Sequence, residues 1–489
     1  MTEFELKLEV PPECRQAVAL AFGNAPRKRL LASYFDTDGF ALARDKLVVR
    51  LRKEGSRWLQ TAKAPSGNSL ERLEHNVALT RPVGGAMPVL DLSRHDGTPL
   101  EPRLRAALKL KAGKPYPVLM PVHQISVQRQ VLDIKVGRSM VEVAFDRGRV
   151  IAGDQHALLC ELEFELKSGR PQDAVRLART WCARHGLWLS SISKSAKAQR
   201  LAGLTAALPT VGKHVQLQQD ASIRDALAAM VLNCMDHLLP NASEVAGGST
   251  DREQVHQLRI ALRRLRTVLR ELGHASRAIN AAWEPQLALV FSQLGEHRDR
   301  EFLTLHMQPQ LIAEGGPAFD VVPATPLPDM AKAVCSAAFQ RTLLAVLGFA
   351  HGQGSVASVA GDAAVDVLRP RLAHLHQQVV KQGHDFVRLD KARQHRLRKR
   401  LKRLRYLAEL ARPLFKGKQV DSYLHQLRPV QDALGAYNDR MMAFDVYCKL
   451  AHHDPRAWFA IGWLGANRHD DANECQRQLR AFDKLKTFW

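Results

Sequence analysis

Residues 3–10, with the sequence EFELKLEV, alternate charged and apolar side chains without a break. Successive side chains of a β-strand point to opposite faces, so one face of this segment carries three glutamates and a lysine. The other face carries Phe, Leu, Leu and Val, which suits a hydrophobic core. Residues 160–167, CELEFELK, repeat the pattern. The sequence therefore predicts strands with one apolar face and one face of nearly pure charge.

The same alternation occurs in residues 49–52 (VRLR), 72–77 (RLEHNV) and 141–146 (VEVAFD). An antiparallel sheet with a solvated outer face is the simplest interpretation, but such faces usually mix Ser, Thr, Gln and Lys. Two like charges 4 Å apart repel by about 4 kcal/mol at an effective dielectric constant of 20. Strands of opposite charge, or a bound metal ion, would relieve that repulsion. A closed barrel with a charged lumen provides both conditions.

The charges also indicate a chemistry. Carboxylates such as Glu3, Glu5, Glu161 and Glu163 are hard oxygen ligands of the kind that Mg²⁺ and Mn²⁺ prefer. The cations of these strands, Lys7, Arg50, Arg52 and Lys63, are donors suited to phosphate oxygens. A metal ion between carboxylates and phosphate, with cations on the remaining oxygens, is a general arrangement for phosphoryl transfer. The sequence has no Gly-rich phosphate loop, so it does not predict a P-loop enzyme.

These residues form an ordered series that resembles the CYTH family, the triphosphate tunnel metalloenzymes. The resemblance begins with Glu3-x-Glu5-x-Lys7 and covers about residues 1–200. It continues through Tyr34-Phe35-Asp36-Thr37, Arg50-x-Arg52, Lys63, Arg72-x-Glu74, Arg129, Asp146-Arg147-Gly148, Glu161-x-Glu163-x-Glu165 and Lys194-Ser195.

The resemblance implies an eight-stranded antiparallel tunnel that binds a triphosphate and hydrolyses it with Mg²⁺ or Mn²⁺. It implies a catalytic group of Glu3, Glu5 and Lys7. The implied metal ligands are Glu3, Glu5, Asp146, Glu161 and Glu163. The implied phosphate ligands are Lys7, Arg50, Arg52, Lys63, Arg72, Arg129 and Lys194, with Lys197 as the alternative to Lys194.

The chain changes character near residue 205, where short alternating strands give way to amphipathic helices. Residues 202–220 contain Gly203, Pro209 and Gly212 and have no clear period. We therefore expect a multidomain α+β protein. Its predicted parts are a tunnel domain at residues 1–203, a linker at 204–220 and an all-α domain at 221–489.

The helical part contains a duplication. The motif His256-x-x-Arg259-x-x-x-Arg263-Arg264-Leu265-Arg266 recurs as His395-x-x-Arg398-x-x-x-Lys402-Arg403-Leu404-Arg405. Further on, Leu294-Gly295-x-x-x-Asp299-Arg300 recurs as Leu434-Gly435-x-x-x-Asp439-Arg440. We predict two copies of one helical unit, at about residues 221–315 and 360–489, separated by a Gly/Pro-rich stretch around residues 315–328.

Each copy predicts a helix with a leucine spine on one side and a cationic ladder on the other. The ladder residues are His256, Arg259, Arg263 and Arg266 in the first copy and His395, Arg398, Lys402 and Arg405 in the second. A solvated basic face is the alternative, but carboxylates at i,i+4, the usual stabilisers of such a face, are almost absent. In the second copy Glu409 stands where Arg270 stands in the first, so that ladder is shorter. An anion laid along each ladder would relieve the repulsion between its cations.

The helical half resembles a CHAD domain over about residues 220–485. The resemblance implies two pseudo-symmetric helical bundles whose ladders meet and bind inorganic polyphosphate. The eight ladder residues would be the polyphosphate ligands. Either histidine could instead cap or pack a helix, and a polyanion would favour its protonated form.

Composition limits the other functions. The 489 residues include 71 Lys plus Arg and 49 Asp plus Glu, a net charge of +22, which points to an anionic partner. Aromatic residues are only 6%, and no helix-turn-helix or zinc finger is evident, so nucleic acid is an unfavourable candidate. Seven scattered cysteines without C-x-x-C spacing predict neither a disulfide framework nor a zinc site. Because neither an export signal nor a membrane-spanning run is evident, we expect a cytoplasmic protein that could associate with polyphosphate granules.

The leading hypothesis is an inorganic triphosphatase with an attached polyphosphate-binding module. The same tunnel residues would suit an organic triphosphate, as in a thiamine triphosphatase or a class IV-type adenylate cyclase that converts ATP to cAMP. A third hypothesis makes the chain a polyphosphate-binding adaptor without enzymatic activity. The sequence predicts no oligomeric state.

Overall fold

The computed structural model describes residues 2–68, 70–80, 86–319, 326–352 and 362–489. Its strands are β1 (Thr2–Glu9), β2 (Lys28–Asp36), β3 (Val48–Glu54), β4 (Arg57–Pro65), β5 (Glu71–Leu79), β6 (Met120–Val136), β7 (Ser139–Ala152), β8 (Gln155–Ser168) and β9 (Trp188–Leu189). The helices before residue 300 are α1 (Arg15–Ala21), α2 (Ala41–Arg44), α3 (Glu101–Ala107), α4 (Pro171–His185), α5 (Lys194–Leu201), α6 (Ile223–Ala246), α7 (Arg252–Leu272) and α8 (Trp283–Phe302). The later helices are α9 (Gln308–Ala313), α10 (Met330–Cys335), α11 (Ala337–Ala350), α12 (Ala364–Gly383), α13 (Lys391–Ala411), α14 (Gly417–Leu450) and α15 (Ala457–Asp483).

The strands form a closed antiparallel barrel. Their order is β5-β4-β3-β2-β6-β7-β8-β1, and the two ends of this series pair with each other through Glu3 and Arg72. The two-residue strand β9 adds to the other end of β1. This closure confirms the predicted eight-stranded antiparallel tunnel, and it gives every one of the eight strands two neighbours.

The apolar faces of the strands point outward and are covered by helices. Leu6, Leu8 and Phe164 are fully buried on this outer face. The Phe164 ring lies 6.2 Å from the ring of Trp181 on α4. A second outer core, around Leu51 and the neighbouring strands, is covered by the segment that includes α3. The barrel core therefore lies between the strands and their covering helices, which leaves the charged faces to the lumen.

The chain divides into two compact units that are not simple halves of the sequence. Unit 1 comprises Met1–Thr210, Asp236–Gln254 and Val334–Gln353, and unit 2 comprises Val211–Met235, Val255–Ala333 and Gly354–Trp489. Within unit 1, α11 packs on α4, and the Gln340 amide oxygen accepts a hydrogen bond of 2.8 Å from the Leu189 backbone N–H. The chain leaves unit 1 within the stretch that we predicted as a linker, but the sequence did not indicate that two later segments return to it. The domain bounds at 203 and 221 stay predictions.

Unit 2 is helical and contains the duplicated motif. Helices α7 and α13 each have 21 residues and carry the two ladders. Their leucine spines are buried, with Leu258 and Leu262 on α7 and Leu397 and Leu401 on α13 all at 1% exposure or less. The bounds of the two predicted copies stay predictions. Part of the predicted spacer, residues 320–325, and the predicted start of the second copy at residue 360 lie outside the described residues.

Among the described residues, no helix combines the length and the apolar character needed to cross a lipid bilayer.

A buried carboxylate connects three helices of unit 2. Glu271, near the end of α7, is fully buried and accepts a hydrogen bond of 2.7 Å from the Arg371 Nε atom on α12. Its other oxygen lies 2.5 Å from the Arg403 Nη1 atom on α13. Because one carboxylate neutralises two guanidinium groups, removing its charge leaves both without a counter-ion.

We expect Glu271→Gln to lower the free energy of local opening of α13 by about 2 kcal/mol, because two partly buried guanidinium groups lose their counter-ion. Hydrogen exchange of the α13 amides measures this opening. The control is Glu409→Gln, because this half-exposed carboxylate makes one ion pair of 3.5 Å with Arg405 and should contribute less than about 0.5 kcal/mol. Equal protection in both variants would contradict a bridging role for Glu271.

Candidate functional site

The strand register keeps the charged side chains on the inner face of the barrel. Residues directly opposite each other in an antiparallel pair share a face, and Lys7 of β1 lies opposite Glu163 of β8. Glu161 lies opposite Glu9 on one side and Asp146 on the other. By the same register, the lumen face carries the predicted strand residues Glu3, Glu5, Lys7, Arg50, Arg52, Lys63, Arg72, Arg129, Asp146, Glu161 and Glu163.

Lys194 reaches the lumen from the first turn of α5. The helix starts there because the Ser193 hydroxyl accepts a hydrogen bond of 3.1 Å from the Ala196 N–H. The Lys194 Nζ atom lies 2.9 Å from Asp146 Oδ2 and 2.6 Å from Glu161 Oε1, and it also contacts Glu163. These carboxylates outweigh the effect of burial and raise the pKa of Lys194 well above its ordinary value.

Arg129 holds two of the same carboxylates from the β6 side. Its Nε and Nη2 atoms donate hydrogen bonds of 2.7 and 2.6 Å to the two oxygens of Asp146. Its Nη2 atom also lies 2.5 Å from Glu163 Oε2. The bidentate contact fixes the guanidinium plane inside the lumen, although its neighbours along the same strand face are the apolar Val127 and Val131.

Lys197 lies one helical turn after Lys194 and also faces carboxylates. Its Nζ atom lies 2.6 Å from Glu9 Oε1 and 3.0 Å from Glu161 Oε2. Burial opposes its charge, but Glu161 and Glu9 outweigh burial and raise the pKa of Lys197. The structure thus brings both lysines of α5 to the acidic cluster, where the sequence presented them as alternatives.

A second group of charges lies where β1 meets β4 and β5. Lys63 Nζ donates a hydrogen bond of 3.0 Å to Glu3 Oε2 and also contacts Glu74. Burial and the hydrogen bond to Glu74 raise the pKa of Glu3 to about 9. The pKa of Glu74 is held below its ordinary value, against the effect of burial, by its hydrogen bond with Glu3 and by Lys63. The two carboxyl groups therefore share one proton at neutral pH.

Glu5 lies between the two groups, and its pKa is also raised. Burial and, after it, the nearby Glu163 raise its pKa from 4.5 to about 7, while Lys63, Lys194 and Lys7 oppose the rise. Burial lowers the pKa of Lys7 from its ordinary value. The protonated form of Glu5 is thus close in free energy to the carboxylate at neutral pH, and an added cation would favour the carboxylate.

The cationic side of the lumen offers unused donors. Arg50 Nη1 donates a hydrogen bond of 3.3 Å to the Tyr34 hydroxyl, but its buried Nε atom has no hydrogen-bond partner among the described residues. Burial opposes the charge of Arg50, whereas Tyr34 and Glu74 outweigh it and raise the pKa. Arg72 donates to the Glu71 carbonyl oxygen at 3.1 Å. A buried guanidinium with an unpaired N–H is suited to an anionic ligand.

Glu9 and Glu74 also face the lumen, and neither was among the predicted site residues. The alternation of the sequence gave a signal for both, because Glu9 shares a face with Glu3 to Lys7 and Glu74 shares one with Arg72. Lys197 was predicted only as the alternative to Lys194, and the structure brings both to the acidic cluster.

The donor chemistry of the lumen fits a divalent cation. The carboxylates of Asp146, Glu161 and Glu163 converge on the single cationic atom of Lys194. Oxygen donors of this type are those that Mg²⁺ and Mn²⁺ take, and the pKa of Glu5 is raised chiefly by burial, so an added cation would favour its carboxylate form. Among the described residues, no group of three or more His, Cys, Asp or Glu side chains already has the arrangement of a metal site.

The ladders of unit 2 form a second cationic cluster. Arg263 on α7 donates a hydrogen bond of 3.4 Å to the Tyr406 hydroxyl on α13, so the two ladder helices contact each other. Asp439 of α14 accepts from Arg298 at 3.0 Å and lies 3.8 Å from Arg398. The outer ladder residue Arg266 lies 2.8 Å from Glu284.

Positive charge in this cluster exceeds the negative charge that surrounds it. Burial and the guanidinium groups of Arg263 and Arg398 lower the pKa of Lys402 to about 5. Burial also lowers the pKa of Arg259 and of Arg398 to about 10, with Arg263 adding to both shifts. Lys402 has no ion-pair partner in the part of the chain that the structure describes. Such a crowded set of cations favours a bound anion.

The ladder histidines stand at the exposed start of each helix. His256 is exposed one turn before Arg259. The Nδ1 atom of His395 lies 3.1 Å from the amide oxygen of Asn438. Burial lowers the pKa of His395 despite this contact. Arg405, the last ladder residue of the second copy, lies 3.5 Å from Glu409, so the second ladder ends there in the structure as well.

Comparisons with known proteins assign both parts of the chain. Residues 1–198 match the family model of the CYTH domain, and residues 229–446 match that of the CHAD domain. An inorganic triphosphatase of Haemophilus influenzae is 29% identical over 201 residues, which are 40% of this chain and 53% of that protein. The chain therefore aligns with about half the length of this relative.

Two solved structures share lower similarity. The CHAD domain of the plant Ricinus communis is 24% identical, with a TM-score of 0.47, and the match covers 58% of this chain and 99% of that chain. A Hippeastrum protein, named as an adenylyl cyclase and described with a dominant triphosphatase activity, is 16% identical, with a TM-score of 0.31. That match covers 40% of this chain and 95% of the Hippeastrum chain.

We expect the stability of the barrel to fall as pH rises from 5 to 8 when no divalent cation is added. Glu5 has a pKa of about 7 in the folded protein and 4.5 as its ordinary value, so the folded protein binds more protons across this window. The loss should be about 2 kcal/mol for Glu5 alone. Hydrogen exchange of the β1 and β8 amides, corrected for intrinsic rates, measures it.

Glu5→Gln should weaken this pH dependence, because the amide does not titrate, whereas the exposed control Glu13→Gln should keep the wild-type slope. An unchanged slope in Glu5→Gln would show that the Glu5 carboxyl is not held in its protonated form by the fold.

Proposed function

Because residues 1–198 are a CYTH domain and residues 229–446 are a CHAD domain, we propose that the chain is a metal-dependent inorganic triphosphatase with a polyphosphate-binding module. One observation carries the first part of this proposal. Carboxylates and cations face each other inside one closed barrel, and the buried Arg50 Nε atom is left without a partner among the described residues. The 29% identical relative named as an inorganic triphosphatase supports the choice of substrate.

The cations of the lumen would bind the phosphate oxygens. Arg50 and Arg52 are two residues apart and share the lumen face of β3. This strand lies across the barrel from the acidic strands β1, β7 and β8. The proposed phosphate ligands are Lys7, Arg50, Arg52, Lys63, Arg72, Arg129, Lys194 and Lys197. A triphosphate would replace carboxylate partners of Lys63, Arg129 and Lys194, so these residues exchange one set of oxygens for another without losing their counter-charge.

The carboxylates Glu3, Glu5, Asp146, Glu161 and Glu163 would hold Mg²⁺ or Mn²⁺. Such an ion, when bound, polarises phosphoryl oxygens and lowers the pKa of bound water. The residues of this chain would orient the substrate, exclude bulk water from the lumen and stabilise negative charge on the leaving diphosphate. Of the predicted catalytic group, Glu3 and Glu5 would act as cation ligands, and Lys7 would act on the phosphate oxygens.

In unit 2, the crowded cations of α7 and α13 would bind inorganic polyphosphate. Lys402, Arg259 and Arg398 have pKa values lowered by burial and by like charge, so an extended polyanion would stabilise their protonated forms. The proposed ligands are His256, Arg259, Arg263, Arg266, His395, Arg398, Lys402 and Arg405. Binding a long chain would raise the local concentration of phosphoanhydride substrate near the barrel, although it would add no chemistry of its own.

We expect Glu5→Gln and Glu161→Gln each to reduce metal-dependent phosphate release from tripolyphosphate by about 100-fold or more, because each removes a negative charge from the proposed cation ligands. The control is Glu13→Gln, an exposed carboxylate of the same unit, which should keep full activity. Circular dichroism of each variant confirms that the fold is retained. Full activity in both lumen variants would reject the enzymatic role of the barrel and favour the adaptor hypothesis.

The same assay distinguishes the substrates when it compares tripolyphosphate, thiamine triphosphate and ATP. We expect the highest kcat/KM for tripolyphosphate. Turnover of an organic triphosphate alone would replace the inorganic assignment with a thiamine triphosphatase or a cyclase.

We expect Arg263→Ala and Arg398→Ala each to weaken binding of long-chain polyphosphate by about tenfold and to lower its salt dependence, since each variant releases fewer counter-ions. The control Arg477→Ala removes an exposed arginine whose side chain pairs with Glu474 on α15 and should leave affinity unchanged. Titration calorimetry at several salt concentrations measures both quantities. Stronger binding to duplex DNA than to polyphosphate would favour a nucleic-acid partner instead.

A further inference from the structure

One aromatic ring lies beneath the first ladder. Phe291, on α8, is partly buried, and its ring centroid lies 4.7 Å from the guanidinium carbon of Arg259. The guanidinium carbons of Arg263 and Arg266 lie 5.0 and 5.1 Å from the same centroid. All three distances are within the range of a cation–π contact, which is about 6 Å. Three successive members of the ladder therefore converge on one ring.

The helix that carries Phe291 holds Arg259 in two further ways. The Arg259 Nη1 atom donates a hydrogen bond of 3.4 Å to the Phe291 carbonyl oxygen. One turn later on α8, a Cβ atom added to Gly295 would lie only 2.8 Å from the same Nη1 atom. Gly295 belongs to the duplicated Leu-Gly-x-x-x-Asp-Arg motif, so a glycine at this position gives the guanidinium group room to lie against α8.

The second copy has no aromatic residue at the equivalent position, although the guanidinium carbon of its last ladder residue, Arg405, lies 4.4 Å from the ring of Tyr406. The position equivalent to Phe291 is Gln431, four residues before Gly435 as Phe291 is four residues before Gly295. The side-chain nitrogen of Gln431 and the Nε atom of Arg398 have no hydrogen-bond partner among the residues described. A Cβ atom added to Gly435 would meet nothing within 4 Å. Arg398 instead has a carboxylate, Asp439, as its nearest counter-ion.

An aromatic ring and a carboxylate can each restrict the conformation of an arginine side chain. They differ in what they do to the positive charge of the guanidinium group. A carboxylate fixes the guanidinium group but cancels its charge and occupies its N–H donors. A ring face fixes the guanidinium plane, leaves the full positive charge and leaves the in-plane N–H donors available. Arg259 and Arg263 of the first ladder are therefore ordered before an anion arrives, while the outer Arg266 also lies 2.8 Å from Glu284 and Arg398 of the second ladder lies 3.8 Å from Asp439.

We propose that Phe291 is a positioning residue that pre-organises Arg259, Arg263 and Arg266, and that the first copy is consequently the primary docking site for a polyphosphate chain. This inference rests on the proposed binding of polyphosphate by unit 2. Ordering the arginines in advance lowers the conformational entropy that binding would otherwise cost. The second ladder then extends the contact along the chain.

The test compares three substitutions in the full-length protein with long-chain inorganic polyphosphate as the probe. Phe291→Tyr keeps the ring face and should bind as the wild type does. Phe291→Leu keeps apolar volume without a ring, and Phe291→Gln introduces the residue of the second copy. We expect both to bind about tenfold more weakly, with the salt dependence of affinity unchanged because no charge is removed.

A purely structural role for Phe291 predicts a different result, in which Leu preserves affinity and only the melting temperature responds to Gln. Wild-type affinity in Phe291→Leu would therefore overturn the inference. A wild-type protein that binds no polyphosphate would instead overturn the proposed function of unit 2, and this inference with it.

A measurement without ligand tests the geometry separately. Protons above an aromatic ring are shifted upfield in NMR spectra, so the side-chain δ protons of Arg259, Arg263 and Arg266 should be shifted upfield in the free protein. The shifts should disappear in Phe291→Leu. Ordinary shifts in the free wild-type protein would show that the ladder is not stacked on the ring.

Gly295 and Gly435 occupy equivalent positions in the two copies, which allows a final comparison. Gly295→Ala should displace Arg259 and weaken polyphosphate binding several-fold, whereas Gly435→Ala has open space and should leave affinity unchanged. Equal affinities in the two variants would contradict the proposed role of the contact between Arg259 and α8.

Discussion

Closure of the barrel is the constraint on which the rest of unit 1 depends. When β5 pairs with β1, the charged faces of eight strands enclose one lumen, and the carboxylates there lose most of their water. A buried carboxylate is costly unless it has a counter-ion, and two like charges 4 Å apart repel by about 4 kcal/mol at an effective dielectric constant of 20. Lys194, Arg129 and Lys63 supply those counter-ions. The pKa of Glu5 stays raised in spite of the nearby lysines, so a further cation there would stabilise its carboxylate form.

The two units differ in the balance between their buried negative and positive charges. In the barrel, acidic groups with raised pKa values lie close to cations, so the lumen can accept both a metal ion and an anion. In unit 2, cations outnumber carboxylates, and the pKa values of Lys402 and Arg398 are lowered. Under the proposed function, the oxygens of a phosphoanhydride chain would pair with the cations of both arrangements.

Much of the barrel could be predicted from the sequence, because strict alternation assigns residues to a face without knowledge of the fold. The charged face of residues 3–10 and the carboxylates at 161 and 163 lie on the lumen face as that argument requires. The strand number came from the family resemblance, because alternation does not determine which strands pair. The contacts of long side chains could not be predicted from the sequence either. Lys197 approaches Glu9 only because α5 lies against the acidic strands.

Other features depend on long-range packing and could not be predicted. The segments Asp236–Gln254 and Val334–Gln353 join unit 1 although they lie within the helical half of the sequence, and helical periodicity alone does not say which neighbour a helix packs against. The duplication predicted two equivalent ladders with leucine spines, and α7 and α13 have that form. It did not predict that Phe291 lies beneath the first ladder, because the motif itself does not include the aromatic position.

The orientation of the lumen carboxylates can be measured directly by carbodiimide labelling of the full-length protein, followed residue by residue with mass spectrometry. Labelling requires access from bulk water. We expect Glu5, Asp146 and Glu161 to react at least about ten times more slowly than the exposed Glu13 and Asp38, because they face an enclosed lumen and contact buried cations. Labelling of the three lumen carboxylates at the rate of the two exposed ones would contradict an inward-facing site and, with it, the proposed binding of metal and triphosphate.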